Sequence, residues 1–290
     1  MTQLRNLFLI VIVTLAFSVA NAQYFLGPIS SSMGGTGRAA SEVEEGIFLN
    51  PAVLPHSRDF SSSLFYADGE NGEGLGETVL GLTLVDNTEG VIVPGGLSYL
   101  RKRRTFPDFS PVDEHYCLVS VGGFLDDHLT GGLSLHYRSL QQESGLKESI
   151  WNGSLGFIWA PQSNWGLALV WDHFISSQEK GLPISLRDLP ELGFGLVYIY
   201  ERIFRFRADL SKALLENPQE KWRLGLGLET FTDTFFAVRL GAEVDDRTNA
   251  QFMTTGLAFA GPRLKMDYSF RKNLKSGGGA MHGVDFRIPF

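Results

Sequence analysis

Two short groups of residues carry the side-chain types that catalysis or metal binding requires. Ser134 and His136 lie two positions apart, as a nucleophile and its base do when one strand carries both. Asp126, Asp127 and His128 form a run of metal-ligand types. Neither group has a third partner at a readable spacing, and an Asp-Asp run is typical of a turn. The sequence therefore predicts no catalytic residue, no metal site and no cofactor, and we expect a protein that is not an enzyme.

The composition excludes several other classes of function. The net charge of -7 and a sequence pI near 5.4 give a surface that repels phosphates, so nucleic acid is not an expected partner. Cys117 is the one cysteine of the chain, which excludes an intramolecular disulfide and a cysteine-based metal cluster.

The first residues have the pattern of an export signal. Arg5 supplies a positive charge, an apolar run follows from Leu7 to Phe17, and Ala20-Asn21-Ala22 gives a small-x-small cleavage site. The apolar run is shorter than the roughly 20 residues that a membrane-spanning helix needs. We therefore expect residues 1–22 to be a cleaved signal peptide.

The exported part of the chain alternates between apolar and polar residues with a period of two. The interleaved Arg239 and Glu243 are charged, for example, while the apolar set is Phe236, Val238, Leu240, Ala242 and Val244. This period places one set of side chains on each face of a β-strand. Alternation alone does not decide whether the apolar face meets a protein core or lipid.

Strand length and spacing favour lipid. The predicted strands are 60–67, 76–84, 91–100, 114–125, 129–139, 149–160, 165–174, 190–200, 202–210, 221–231, 235–244, 250–259, 263–271 and 282–290. Most have the roughly 9 to 11 residues that a tilted strand needs to cross a bilayer. Long connections such as 141–148 alternate with tight ones such as 85–90 and 126–128, as in outer-membrane barrels with short periplasmic turns.

Aromatic residues near the strand ends agree with this interpretation. Trp151 and Trp159 bracket one predicted strand, which is typical of the aromatic girdles of membrane barrels. The last strand ends in Phe290, similar to the carboxyl-terminal signature of bacterial outer-membrane barrels. The sequence therefore predicts an all-β fold, a transmembrane antiparallel β-barrel of about 14 strands (residues 59–290) in the outer membrane of a bacterial cell.

Residues 23–58 break the alternating pattern. They carry a glycine-rich motif and an Asn-Pro motif, which are Met33, Gly34, Gly35, Gly37 and then Asn50, Pro51, Ala52. This pair of motifs resembles the amino-terminal signature of the FadL and PorV superfamily of outer-membrane proteins. The resemblance implies that residues 23–58 form a hatch inside the barrel lumen, to which those seven residues belong. Arg38 stands where that superfamily usually has an aliphatic residue.

Charged residues of both signs occupy the polar face of the predicted strands. We expect them to point into the lumen and to pair with one another, since unpaired buried charges are costly. The predicted lumen charges are Arg205, Arg207, Asp209, Arg223, Glu229, Arg239, Glu243, Lys265, Asp267, Asp285 and Arg287. A dense basic run at the start of a predicted outer loop, a possible surface binding patch for lipopolysaccharide or a protein, comprises Arg101, Lys102, Arg103 and Arg104.

The resemblance implies passive passage of a small hydrophobic solute across the outer membrane, under control of the hatch. The alternative is a plugged barrel that serves as an anchor or scaffold for proteins of an envelope secretion or surface-motility complex. A continuous apolar tunnel would favour the first function, and a lumen locked by charges would favour the second. Outer-membrane lipid and lipopolysaccharide are expected partners in both.

Overall fold

The structure of the chain is a computed structural model. It describes residues 25–39, 42–57, 59–70, 74–107, 110–142, 145, 147–175, 188–201, 203–214, 221–232, 235–246, 248–275 and 278–290. The predicted signal peptide lies outside the described residues. None of the helices in these ranges is long and apolar enough to cross a membrane.

Fourteen antiparallel strands close into one barrel, which confirms the predicted fold class. Each strand pairs with its neighbours in the chain, and β1 closes the ring against β14 with Ser61 opposite Pro289. The strands are β1 (Ser61–Glu70), β2 (Gly76–Asp86), β3 (Gly95–Thr105), β4 (Val112–Asp126), β5 (Leu129–Gln142), β6 (Lys147–Gln162), β7 (Trp165–Asp172), β8 (Glu191–Tyr200), β9 (Phe204–Ala213), β10 (Lys221–Phe231), β11 (Phe236–Asp245), β12 (Ala250–Ala260), β13 (Lys265–Asn273) and β14 (Ala280–Pro289).

The alternation in sequence becomes the two faces of this barrel. On β11, Leu240 points outward and is 55% exposed, whereas Arg239 points into the lumen and is 4% exposed. The exterior carries such apolar side chains around the ring, as a wall that contacts lipid does. Trp151 and Trp159 also lie on this exterior, towards opposite ends of β6.

The two ends of the barrel differ in their connections. The end that contains Ser61 and Pro289, here called the turn end, has tight turns at 127–128 and 163–164. The opposite end, here called the loop end, has longer connections, such as the one between the end of β7 at Asp172 and the start of β8 at Glu191.

Two of the predicted connections differ in length from those of the structure. At the loop end, β5 extends to Gln142 and β6 begins at Lys147, so both ends of the predicted loop 141–148 are strand. At the turn end, the connection 87–94 is longer than the predicted tight turn, and β3 begins only at Gly95. Pro94 has no amide hydrogen to donate to a ladder, which delays the start of that strand.

Residues 25–39 and 42–57, here called the hatch segment, lie inside the barrel. Their helices are α1 (Pro28–Ser32), α2 (Val43–Gly46) and a 3-10 helix (Pro51–His56). Helix α1 packs on β11 to β14, while the 3-10 helix packs on β4 to β6. Asn50 explains where the 3-10 helix begins, because its side chain accepts a hydrogen bond from the Ala52 amide at 3.0 Å.

Candidate functional site: the lumen and its hatch segment

The lumen has two walls of different chemistry. The inward faces of β8 to β14, here called the charged wall, carry most of the buried arginines and carboxylates. The inward faces of β1 to β7, here called the apolar wall, carry the buried apolar clusters. The apolar wall also has charges towards the loop end, such as Lys102 and Glu114. The hatch segment lies between the two walls.

On the charged wall, arginines alternate with carboxylates across neighbouring strands. The Arg239 guanidinium donates to Glu229 at 2.6 Å and to Asp267 at 2.5 Å, and Arg287 contacts Asp285 at 3.2 Å. The predicted lumen charges all lie on inward faces, buried or half-buried. Arg271, which is not among the predicted lumen charges, pairs with Glu243 at 3.1 Å. These pairs satisfy charges that would otherwise be costly to bury.

The hatch segment is bound to this wall through its own charges. The Arg38 side chain is 1% exposed, and its guanidinium lies 2.5 Å from Glu191 and 3.5 Å from Asp209. Glu42 pairs with Arg207 at 2.5 Å and with Arg205. Arg38 replaces the aliphatic residue that is usual at this place in the superfamily that the motifs resemble. The wall provides two carboxylates that bind this arginine.

Two hatch carboxylates have shifted pKa values of opposite sign. Burial raises the pKa of Glu45 to about 7, although the Ser30 amide donates to this carboxylate at 2.7 Å and opposes the shift. Burial would also raise the pKa of Glu42, but Arg207 and Arg205 outweigh it and hold that pKa well below its usual range. Glu42 therefore stays ionised, while Glu45 changes its charge near neutral pH.

Glycines on the charged wall let the hatch backbone approach the strands. A Cβ atom at Gly227 would lie 2.6 Å from the Met33 carbonyl oxygen, and one at Gly225 or Gly241 would overlap the backbone of Gly34. Gly34 itself has a φ of 66°, a conformation that favours glycine. The close approach of the hatch backbone to the charged wall therefore requires glycine on both sides, in the strands and in the hatch motif.

The remaining motif residues join the two parts of the hatch segment. The Asn50 side-chain amide donates to the Arg38 carbonyl at 2.8 Å, and the Thr130 hydroxyl of β5 donates to the Ala52 carbonyl at 2.9 Å. Met33, Asn50, Pro51 and Ala52 are all buried. The structure thus places the seven predicted hatch residues inside the lumen.

The apolar wall packs against aromatic residues of the hatch segment. The ring centroids of Phe25 and Phe48 are 4.6 Å apart, and those of Phe25 and Phe65 of β1 are 4.9 Å apart. Leu100 and Tyr116 belong to the same cluster, which continues through the hatch segment to the 3-10 helix. Beside it lies a cavity of about 40 Å³. Its lining residues are Phe25, Phe48, Leu100, Lys102, Glu114, Tyr116, Asp172, His173 and Asp188.

The basic run Arg101–Arg104 was predicted to begin an outer loop, and this prediction is wrong: the run lies within β3. Strand alternation divides it: Arg101 and Arg103 are exposed on the exterior, while Lys102 and Arg104 point inward. The inward pair lies 3.7 Å and 3.2 Å from the Glu77 carboxylate. Only the two exterior arginines remain as a predicted lipopolysaccharide or protein contact.

The structure places the two groups of chemistry-bearing residues in different surroundings. Asp127 and His128 form the turn between β4 and β5, as predicted. The Ser134 hydroxyl lies 2.6 Å from the Ser120 hydroxyl of β4, and no contact joins it to His136 among the described residues. His136 instead stacks on the Tyr116 ring at 5.0 Å.

Known structures share this architecture. The chain is similar to the CymD monoaromatic hydrocarbon channel, with a TM-score of 0.72, 14% identity, and 95% of this chain and 99% of that chain covered. It is similar to the Ralstonia pickettii toluene transporter TbuX, with a TM-score of 0.70, 14% identity and coverage of 95% and 100%. A Pseudomonas aeruginosa FadL homologue gives a TM-score of 0.65 at 13% identity, with coverage of 93% and 98%. The fold is that of the FadL-like barrels.

No protein-family model matches the chain, and no curated protein matches it either. The identities to the FadL-like structures are low, so the likeness concerns the fold. The alternative function as an anchor or scaffold receives no support from these similarities. The lumen of this barrel is neither a continuous apolar tunnel nor wholly locked by charges, since each kind of wall lines about one half.

Proposed function

We propose that the chain is a passive channel for a small hydrophobic solute in the bacterial outer membrane, with the hatch segment as its gate. The observation that carries this proposal is the apolar wall, which faces the aromatic side of a hatch segment inside a barrel of FadL-like fold. Proteins of this fold include monoaromatic hydrocarbon channels and toluene transporters. Solutes of that chemistry are therefore the first candidates.

The cavity size indicates that the hatch segment must move for passage. The cavity of about 40 Å³ holds no more than a few waters, whereas an engineered cavity that binds benzene has about 150 Å³. In the conformation described, an aromatic ring therefore does not fit. Passage requires that Phe25 and Phe48 separate from the wall residues Phe65 and Leu100.

The apolar wall is the side on which this separation costs least in electrostatic terms. The 3-10 helix and Phe48 contact it chiefly through apolar side chains, and an apolar solute replaces such contacts with similar ones. Displacement from the charged wall would separate buried ion pairs such as Arg38 with Glu191. We therefore assign the solute route to the apolar wall.

The orientation in the membrane follows from the connections. Outer-membrane barrels have their short turns in the periplasm. The turn end would accordingly face the periplasm, and the loop end, with the cavity beside Leu100 and Tyr116, would face outward. Arg101 and Arg103 on the exterior of β3 would then lie at the height of anionic lipopolysaccharide.

The test is solute flux through the purified chain in lipid vesicles, with toluene as the first solute. The intact chain should give saturable flux that prefers toluene to a polar solute of equal size. A chain without residues 25–57 should give larger flux with less preference, because the gate is gone. The double variant Arg101→Gln and Arg103→Gln is the matched control, since both residues lie outside the lumen.

Three outcomes would count against the proposal. They are no toluene flux from the folded intact chain, equal flux for toluene and the polar solute, and a change of flux in the exterior control as large as in the deletion. Assembly in each case is checked by circular dichroism and by the mobility of unheated samples on gels.

A further inference from the structure

His136 is a buried histidine whose hydrogen bonding is incomplete. Its side chain lies in the lumen at the middle of β5 and is 1% exposed. Neither ring nitrogen has a hydrogen-bond partner among the residues that the structure describes. Buried polar groups nearly always have a partner, which can be an ordered water or an ion. His136 is thus a donor or ligand whose partner is still to be identified.

Two further metal-ligand side chains lie beside it. His173 directly follows β7, which is separated from β5 by one strand, and Asp188 shortly precedes β8, which is separated from β5 by two strands. One ligand atom from each of the three residues lies within 4.8 Å of the others. The His136 and His173 rings meet nearly at right angles, at 77° and 5.2 Å between centroids. Three potential ligands therefore converge on one point of the lumen.

The surroundings fit a cation despite two nearby positive side chains. The Arg138 guanidinium lies 3.0 Å from the Asp188 carboxylate and fixes its position, as hydrogen-bonded partners of metal ligands commonly do. The second positive side chain, Lys102, lines the adjoining cavity, and its charge is paired with Glu77 at 3.7 Å. Asp172 adds a buried carboxylate to the adjoining cavity, which has room for water ligands.

We propose that His136, His173 and Asp188 bind a divalent transition metal ion of the zinc type. Two imidazole nitrogens and one carboxylate oxygen are a ligand set that suits zinc, with water in the fourth position. Zinc bonds of about 2.0–2.2 Å require the three ligand atoms to draw together by roughly 1 Å, a shift within reach of side-chain rotation. The bound ion would tie together β5, the end of β7 and the start of β8 at the loop side of the cavity.

Zinc titration of the full chain tests this site. The protein is prepared in detergent without a histidine tag, stripped with a chelator, and titrated with zinc in a calorimeter. We expect one zinc per chain, and we expect His136→Gln to weaken binding by about a hundredfold or more, because it removes a direct ligand. The control is His282→Gln. His282 lies on the barrel exterior, with its ring 2.7 Å from the Tyr268 hydroxyl, and should not affect binding.

A second probe and a second variant keep the test decisive. Cobalt in place of zinc should give the visible absorption of a tetrahedral site with nitrogen ligands. Should His136→Gln fail to fold, His173→Gln takes its place, since that ring is 13% exposed and less central to packing. A folded wild-type chain that binds no zinc, or a folded ligand variant that binds it as tightly as His282→Gln does, would overturn the proposal. In that case an ordered water is the partner of His136.

Discussion

The two walls of the lumen differ in how they hold the hatch segment. On the charged wall, the contacts are ion pairs and a backbone approach over glycine, as at Arg38 and Gly227. On the apolar wall, the contacts are aromatic and aliphatic side chains such as Phe48 and Phe65. Ion pairs are directional and costly to break once buried, while apolar contacts have no fixed geometry. The same segment is therefore anchored on one side and only packed on the other.

The largest expected effect comes from removing the central charge of the anchored side. Arg38→Met leaves the Glu191 carboxylate buried without its cation, and loss of one partner of a buried pair costs about 3–5 kcal/mol. The hatch segment should detach from the charged wall, and toluene flux in vesicles should rise. If flux and the protection of hatch amides from hydrogen exchange both stay unchanged, the anchoring role of this wall is wrong.

The double variant Arg38→Met with Glu191→Gln sharpens this result. It removes both charges of the pair, so much of the penalty should disappear. The other carboxylate, Asp209, still accepts the backbone amides of Gly37 and Arg38 at 3.0 Å each. Flux closer to that of the wild type would show that the effect arises from the Glu191 charge once Arg38 is gone, and not from the loss of side-chain volume.

The next effect in size concerns the backbone contact on the same wall. Gly227→Val adds side-chain atoms where a Cβ alone would lie 2.6 Å from the Met33 carbonyl oxygen. Overpacking of this kind costs about 1–3 kcal/mol, and valine itself suits a strand. We expect a stable barrel with a displaced hatch segment and raised flux. Gly123→Val is the control, because no described atom lies within 4 Å of a Cβ there.

Much of the difference between the charged wall and the apolar wall cannot be predicted from the sequence. The period of two predicts the strands and both faces, because alternation reflects strand geometry and burial directly. The Asn50-Pro51 motif likewise indicates a local turn and cap. Partners such as Arg38 and Glu191 are far apart in the chain, and only closure of the barrel brings them together. The inward glycines, such as Gly225 and Gly227, were the available signal for a segment inside the lumen.

The alternation of apolar and polar residues also does not predict where the strands end or which residues line the cavity. Outside the lipid-contacting band, nothing requires outward residues to be apolar, so alternation fades before β5 ends at Gln142. His173 lies in the predicted strand 165–174 and Asp188 in the predicted connection that follows it, and no spacing in the sequence relates either residue to His136. The closed ring of strands brings these residues together.

A smaller effect is expected on the packed side. Phe48→Ala removes a half-buried ring from the apolar wall, at a cost of about 1–2 kcal/mol. The charged wall still holds the hatch segment, so the cavity should widen without release of the gate. The flux ratio of a two-ring to a one-ring aromatic should rise in vesicles, with Phe48→Leu intermediate. A general rise for polar solutes as well would mean that the gate had detached, and that the two walls are not independent.

The smallest effect is a dependence on pH that arises in the hatch segment itself. Burial raises the pKa of Glu45 to about 7 from an ordinary value of 4.5, so the docked segment binds this proton more tightly than a released one. Docking is therefore favoured below about pH 4.5 and becomes weaker as pH rises through 7. Partial desolvation lowers the pKa of His56, which works in the opposite direction: it opposes docking below about pH 6.5, and this opposition disappears as pH rises to 6.5.

Variants separate the two groups. Hydrogen exchange of the Ile29 and Ser30 amides, which donate to the Glu45 carboxylate at 3.1 Å and 2.7 Å, reports docking once it is corrected for the intrinsic effect of pH. From pH 5.5 to 8, protection should fall more steeply in His56→Gln than in the wild type, by a few-fold. Glu45→Gln should flatten or reverse the slope. Identical slopes in all three proteins would show that hatch docking depends on the permanent ion pairs of the charged wall and not on these two titrating groups.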